Sequence, residues 1–144
     1  MVSPTPDTMG VMPRHQNTRD RITQVINQWL PMWNGDHDLV EDLVAPEFRI
    51  WFGAFPGAGT EVKDPTTFRD FLDTYRAQFA DARFTPGEIA VDEVAGRGAL
   101  VWTLRSTRPG EDQEREVGGV DQFTFEDGRV RQVWSMGGVE PRPF

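Results

Sequence analysis

Val120-Asp121-Gln122-Phe123-Thr124-Phe125-Glu126-Asp127-Gly128-Arg129-Val130 decides the fold of this chain. It reads as two alternating strands joined by a turn at Glu126-Asp127-Gly128, where glycine supplies the left-handed backbone conformation that a tight hairpin needs. Phe123 and Phe125 mark the face to be buried, and stepping back by twos puts Asp121 on that same face. A carboxyl group in an apolar interior must be paired, kept neutral or used. With no lysine nearby in sequence, desolvation is expected to raise its pKa, and an amide in its place is expected to leave the fold intact.

The register of this hairpin sets what else shares that face, because a slip of one residue exchanges the two faces. A two-residue turn at Asp127-Gly128 would place Trp134 opposite Asp121. A three-residue loop would place Val133 there, with Ser135 on the Asp121 face. We take the three-residue loop as the expectation. It leaves Val130, Trp134 and Met136 on the outer sheet face, where a second copy of the chain in a two-fold homodimer is expected to cover them.

Upstream, Ile22, Val25, Ile26, Trp29, Leu30 and Trp33 recur at helical spacing behind Thr18, a plausible N-cap. Pro31 is expected to kink or end that helix. Asn34-Gly35-Asp36 turns the chain, and Asp38 to Val44 makes a short second helix stopped before Pro46. Phe48, Ile50 and Phe52 alternate as a first strand, followed by a glycine-rich loop, Gly53 to Thr60, read as a lid. Asp64-Pro65 starts a helix whose apolar stripe is Phe68, Phe71, Leu72, Tyr75 and Phe79. Strands are expected at about Thr85–Val94, Ala99–Thr107, Glu114–Phe125 and Arg129–Met136, with Leu100, Trp102, Leu104 and Ser106 facing inward. Helices first and antiparallel strands afterwards give an α+β fold, a curved sheet wrapped over N-terminal helices.

Composition narrows the chemistry. The chain of 144 residues is expected to form one domain over residues 17–137, with a polar arm at 1–16 and a tail at 138–144. It has no cysteine, which excludes disulfides, thiolate catalysis and Cys-ligated metals. A net charge of −8 argues against nucleic acid as a partner. No apolar run approaches the length of about 18 residues that spans a membrane, and Met1–Gln16 lacks the apolar core of a signal peptide, so the cytoplasm is the expected location. His15 and His37 have no ligand company, so no metal is expected and both are read as solvent-exposed. The loop Gly53–Thr60 lacks the Lys-Ser/Thr ending of a phosphate loop.

Three segments together resemble the nuclear transport factor 2-like superfamily, the cone-shaped fold of SnoaL-like polyketide cyclases and ketosteroid isomerases. They are Asn34-Gly35-Asp36-His37-Asp38, Ala45-Pro46-Glu47-Phe48, and Phe123 to Val130. The resemblance implies a cone-shaped sheet around the helices and an apolar cavity. Asp121 falls where ketosteroid isomerases carry a protonated acid that hydrogen-bonds the substrate oxyanion, the behaviour of a carboxyl group in an apolar site. Gln28 falls at the companion tyrosine and Phe52 at the general base, so proton shuttling as in those isomerases is not expected. Ser135 falls at the acid/base aspartate of the cyclases, and the Arg-x-Asp of limonene epoxide hydrolases is absent at Arg105-Ser106-Thr107.

The expected site is therefore Asp121 as the one catalytic acid, with Gln28, Phe52, Phe71, Trp102, Phe123 and Ser135 lining a substrate cavity. The expected function is a cofactor-free cyclase or isomerase acting on a hydrophobic, carbonyl-bearing, polyketide-like metabolite of secondary metabolism. A non-catalytic protein that holds such a metabolite, or scaffolds a partner enzyme, is the alternative. It predicts a cavity filled by Phe52, Trp102 and Phe123.

Overall fold

The computed structural model describes residues 16–142. Residues 1–15, with His15, lie outside that range. The order of elements is α1 (Arg19–Trp33), a 3-10 turn (His37–Leu39), α2 (Val40–Leu43), β1 (Val44–Phe52), α3 (Pro65–Gln78), β2 (Arg83–Asp92), β3 (Arg97–Thr107), β4 (Glu114–Glu126) and β5 (Arg129–Val139). β5 runs to Val139, past the expected end of the domain at residue 137.

The Thr18 hydroxyl caps α1 by accepting from the Arg21 backbone N–H at 3.1 Å. Pro31 neither ends nor breaks the helix, which continues to Trp33. The donor it lacks would serve the carbonyl of Asn27, an exposed residue, and the helix closes one turn later when the Asn34 N–H bonds the Leu30 carbonyl. At α3 the expected cap is present. The Asp64 carboxylate accepts from the Thr67 N–H at 2.8 Å, and the Thr67 hydroxyl accepts from the Asp64 N–H at 3.1 Å.

The sheet is ordered β1-β5-β4-β3-β2, with β1 parallel to β5 and every other pair antiparallel. Helix α1 lies across β2, β3 and β5, while α3 covers β1. Between these layers Trp29, Phe48, Phe68 and Phe123 are fully buried. The Trp29 ring meets Phe123 edge-on at 5.1 Å and stacks on Phe68 at 5.8 Å.

The last hairpin departs from both expected registers. Glu126 pairs with Arg129 across a two-residue turn in which Asp127 (φ 52°) and Gly128 (φ 76°) are both left-handed. A bulge follows. Phe125 pairs with Val130 but Thr124 pairs with Gln132, so Arg131 has no opposite number. Beyond the bulge Ser135, not Val133, lies opposite Asp121. The extra residue also explains Val130. It precedes the bulge, pairs with Val44 on β1 and belongs to the core with no exposed surface, so it is not part of the outer face. Trp134 and Met136 do lie outside, about half exposed.

Candidate functional site

Asp121 is 4 % exposed, on the inner face of β4. Two indoles hold it. Trp29, from the middle of α1, donates its Nε1–H to Oδ2 at 3.0 Å, and Trp102, from β3, donates its Nε1–H to Oδ1 at 3.0 Å. Trp102 reaches across the sheet because its ring lies on bare backbone. A Cβ added to Gly119 would sit 2.2 Å from the ring and one added to Gly137 would sit 2.8 Å from it.

Burial raises the Asp121 pKa above the ordinary carboxyl range and is the dominant influence. Hydrogen bonding from Ser135, Trp102 and Trp29 works in the opposite direction and is weaker. Among the described residues no cation clasps the carboxyl. Arg131 is engaged by Glu47 at 3.0 Å and Arg105 by Glu116 at 2.6 Å. A neutral carboxyl group suits this site. It accepts from both indoles and still has one proton to give, and the hydroxyl nearest in the strand pairing is that of Ser135.

Ser135 is half-buried and forms the hinge between two levels of the interior. On its other side it pairs with Phe52 of β1. Phe52 stacks on Phe71 of α3 at 5.4 Å, and Trp33 meets Phe52, Phe71 and Tyr75 edge-on at 6.2, 6.2 and 5.4 Å. In these apolar surroundings the Tyr75 hydroxyl is pushed up to about 12 by burial. Trp33 Nε1 is buried without a hydrogen-bond partner.

Of the expected site residues, Asp121, Trp102, Phe123 and Ser135 thus form a deep cluster, and Phe52 with Phe71 forms a second, outer one. Gln28 is not among the groups that hydrogen-bond the carboxyl; its Oε1 is buried without a partner. His37 is not solvent-exposed. Its side chain is 11 % exposed and its Nδ1 lies 2.6 Å from Asp73 Oδ1, because the 3-10 turn folds it onto α3. Trp29 and Trp33 were read only as core. The available signal was that a buried indole N–H requires an acceptor, and the apolar stripe of α1 offers none.

Two clefts open on the surface. The first, of about 400 Å³, is lined by Pro46, Glu47, Phe48, Arg49, Lys63, Asp64 and Arg131. The second, of about 510 Å³, lies under the Gly53–Thr60 loop beside Trp51, Phe52 and Trp134. Asp121 lines neither. Among the described residues no group of three or more His, Asp or Glu side chains is arranged to hold a metal ion, and no helix is long and apolar enough to cross a membrane.

A family model described as a SnoaL-like domain matches residues 26–133, from α1 into β5. The chain belongs to the SnoaL-like family. Comparison with curated proteins finds no match. Solved structures with the same SnoaL-like architecture include a candidate polyketide cyclase from Acidithiobacillus ferrooxidans, 18 % identical, covering 81 % of this chain and 87 % of that one with a TM-score of 0.69. TsrD from Streptomyces laurentii is 19 % identical over 83 % of this chain and 89 % of its own, also at 0.69. IdmH, a candidate polyketide cyclase from Streptomyces antibioticus, is 20 % identical over 81 % and 91 %, at 0.66. At these identities the likeness is one of fold.

Proposed function

We propose that this SnoaL-like protein is an enzyme of the cyclase or isomerase kind that acts on an apolar, carbonyl-bearing, polyketide-like metabolite, with Asp121 as its acid. The observation that carries this reading is a buried carboxyl group held by two neutral indole donors and, among the described residues, by no cation. Burial shifts such a group toward its protonated form, the form a general acid needs.

Ser135 is the route to the substrate. It is the accessible neighbour of Asp121, and it borders the Phe52–Phe71 stack against which a flat substrate would lie. The Ser135 hydroxyl passes a proton to the substrate carbonyl oxygen and takes one from Asp121. The carbon beside that carbonyl loses a proton to water, and the resulting enol closes a ring on a second carbonyl or returns as the isomer. Asp121 regains its proton from the hydronium ion formed. One positioned acid contributes on the order of 100- to 10,000-fold, enough for substrates whose carbonyls enolise readily.

The test is deuterium exchange at the central carbon of an apolar 1,3-diketone in D₂O, followed by proton NMR. Wild-type protein should accelerate exchange over buffer. Ser135→Ala and Asp121→Asn should each lose most of that gain, on the order of 100-fold. Exchange at the buffer rate with wild-type protein refutes the reading.

One observation favours the second reading, a non-catalytic protein that holds the metabolite or supports a partner enzyme. Both carboxyl oxygens already accept from indoles, and Trp102 and Phe123 are themselves buried in the core. In that case the diketone quenches tryptophan fluorescence without any exchange.

A further inference from the structure

Arg49 lines both surface clefts, so the two adjoin at that residue and make up a groove along β1. Its parts differ in character. At one end Trp51 and Trp134, which are Cα partners across the β1–β5 pair, stand side by side at 51 % and 54 % exposure. Pro56 and Thr60 form the facing wall. That wall sits close because Gly59 has no side chain; a Cβ there would fall 2.7 Å from the Ile50 carbonyl oxygen. The resulting volume of about 510 Å³ is that of a small-molecule pocket.

At the other end the groove carries cations that close no ion pair among the described residues, although Lys63, after the Thr67 hydrogen bonds, helps to lower the pKa of the neighbouring Asp64 carboxylate. Arg49 donates one long hydrogen bond, 3.4 Å to the Val62 carbonyl, and among the described residues it meets no carboxylate within ion-pair distance; nor does Lys63. The other charges along this wall are committed. Arg131 is held by Glu47 and Glu126, and the Asp64 carboxylate caps α3 through Thr67. On a chain of net charge −8, two cations without a close ion pair among the described residues, beside two half-exposed indoles, are complementary to one kind of ligand.

We propose that this groove binds a free small-molecule organic anion, a flat apolar body seated against Trp51, Trp134 and Pro56 with its oxyanion on Arg49 and Lys63. The site includes none of Trp29, Trp102, Asp121 and Ser135 and does not depend on any reaction at that cluster.

The test uses two probes with one ring system, anilinonaphthalene sulfonate and the uncharged phenylnaphthylamine, titrated by fluorescence onto the folded full-length chain. The sulfonate should saturate at one per chain and bind more tightly than the uncharged probe. Arg49→Gln and Lys63→Gln together should weaken the sulfonate about tenfold and leave the uncharged probe unchanged. Trp134→Ala should weaken both, and Ser135→Ala neither. Three results would overturn the proposal. One is equal affinity for the two probes with no effect of the charge substitutions. Another is a homodimer in sedimentation that Trp134→Ala dissociates, with probe binding gained only on dissociation, which would make a second copy the occupant. The third is Arg49-dependent retention on phosphatidylserine vesicles without saturable binding of the free anion.

Discussion

Replacing Asp121 by Asn tests the centre of this structure, because the carboxyl group is an acceptor at both oxygens. Trp29 donates to Oδ2 and Trp102 to Oδ1, each at 3.0 Å. A carboxamide has one acceptor oxygen. Whichever way it turns, it points an NH₂ at an indole N–H, and one buried donor loses its partner. Such a loss costs about 1–3 kcal/mol. The fold is expected to survive this replacement, as the sequence implies, at that cost in stability. Asp121→Leu, which orphans both indoles, should be the more destabilising of the two.

The dependence on pH makes this prediction specific. Burial raises the folded-state pKa of Asp121 above its unfolded value of 3.8. The folded state then holds the proton more tightly than the unfolded chain. The stabilisation is fully present below the unfolded pKa and is lost as pH rises through the folded one. Asn carries no such dependence. The deficit of Asp121→Asn relative to wild type should therefore be largest at the acid end and narrow as pH rises. Urea unfolding of both proteins between pH 5 and pH 8 measures it. A deficit that is constant, or that widens with pH, refutes the raised pKa. An Asn variant at least as stable as wild type at pH 5 refutes the two-indole clasp.

Tyr75 is the only tyrosine, so its ionisation is read directly from ultraviolet absorbance; the midpoint should lie near 12, and a midpoint near 10 would mean that its hydroxyl is open to water. Gly119→Ala drives a methyl group to 2.2 Å from the Trp102 ring, so it should destabilise by about 1–3 kcal/mol in thermal melts and shift the tryptophan emission, and an unchanged melt would show that the ring is free to move. Deleting residues 1–13 should change stability by less than about 1 kcal/mol in urea titration, since Pro4, Pro6 and Pro13 interrupt a segment with few large apolar groups.

The elements legible in the sequence were those set by local chemistry. The spacing of Ile22, Val25, Ile26 and Trp29 dictated α1, and Asp64-Pro65 marked the start of α3. Gly128 marked the place of the last turn, although the expected loop of Glu126-Asp127-Gly128 is one residue longer than the Asp127-Gly128 turn observed, and the Phe123–Phe125 alternation put Asp121 inside. The bulge at Arg131 was not legible. It inserts one residue without any residue type that demands it, and with the shorter turn it shifts the pairing by two relative to the expected three-residue loop, so Ser135 rather than Val133 lies directly opposite Asp121 while the two faces stay as expected. The clasp by Trp29 was illegible for another reason. It joins residues 92 apart, and nothing local in α1 says which acceptor its indole meets. His37 was misread because its burial comes from packing against Asp73 on α3, a tertiary contact with no counterpart in the turn itself.

The parallel pairing of β1 with β5 has a consequence for how the chain must fold during its synthesis. Val44 pairs with Val130 and Phe52 with Ser135, so the first strand made is sealed only by the last. Until then β1 has no sheet neighbour, and Phe48 and Ile50, buried in the finished protein, have no β5 to lie beside. The antiparallel β2–β5 meander is built from neighbouring strands and forms first; closing a parallel pair across everything between is the slow step. A nascent chain stalled before β5 therefore displays α1 and β1 with their aromatic faces open, the state most prone to association and to capture by chaperones. Loss of β5 should leave β1 without a strand to pair with, while β2, β3 and β4 keep their pairings with one another.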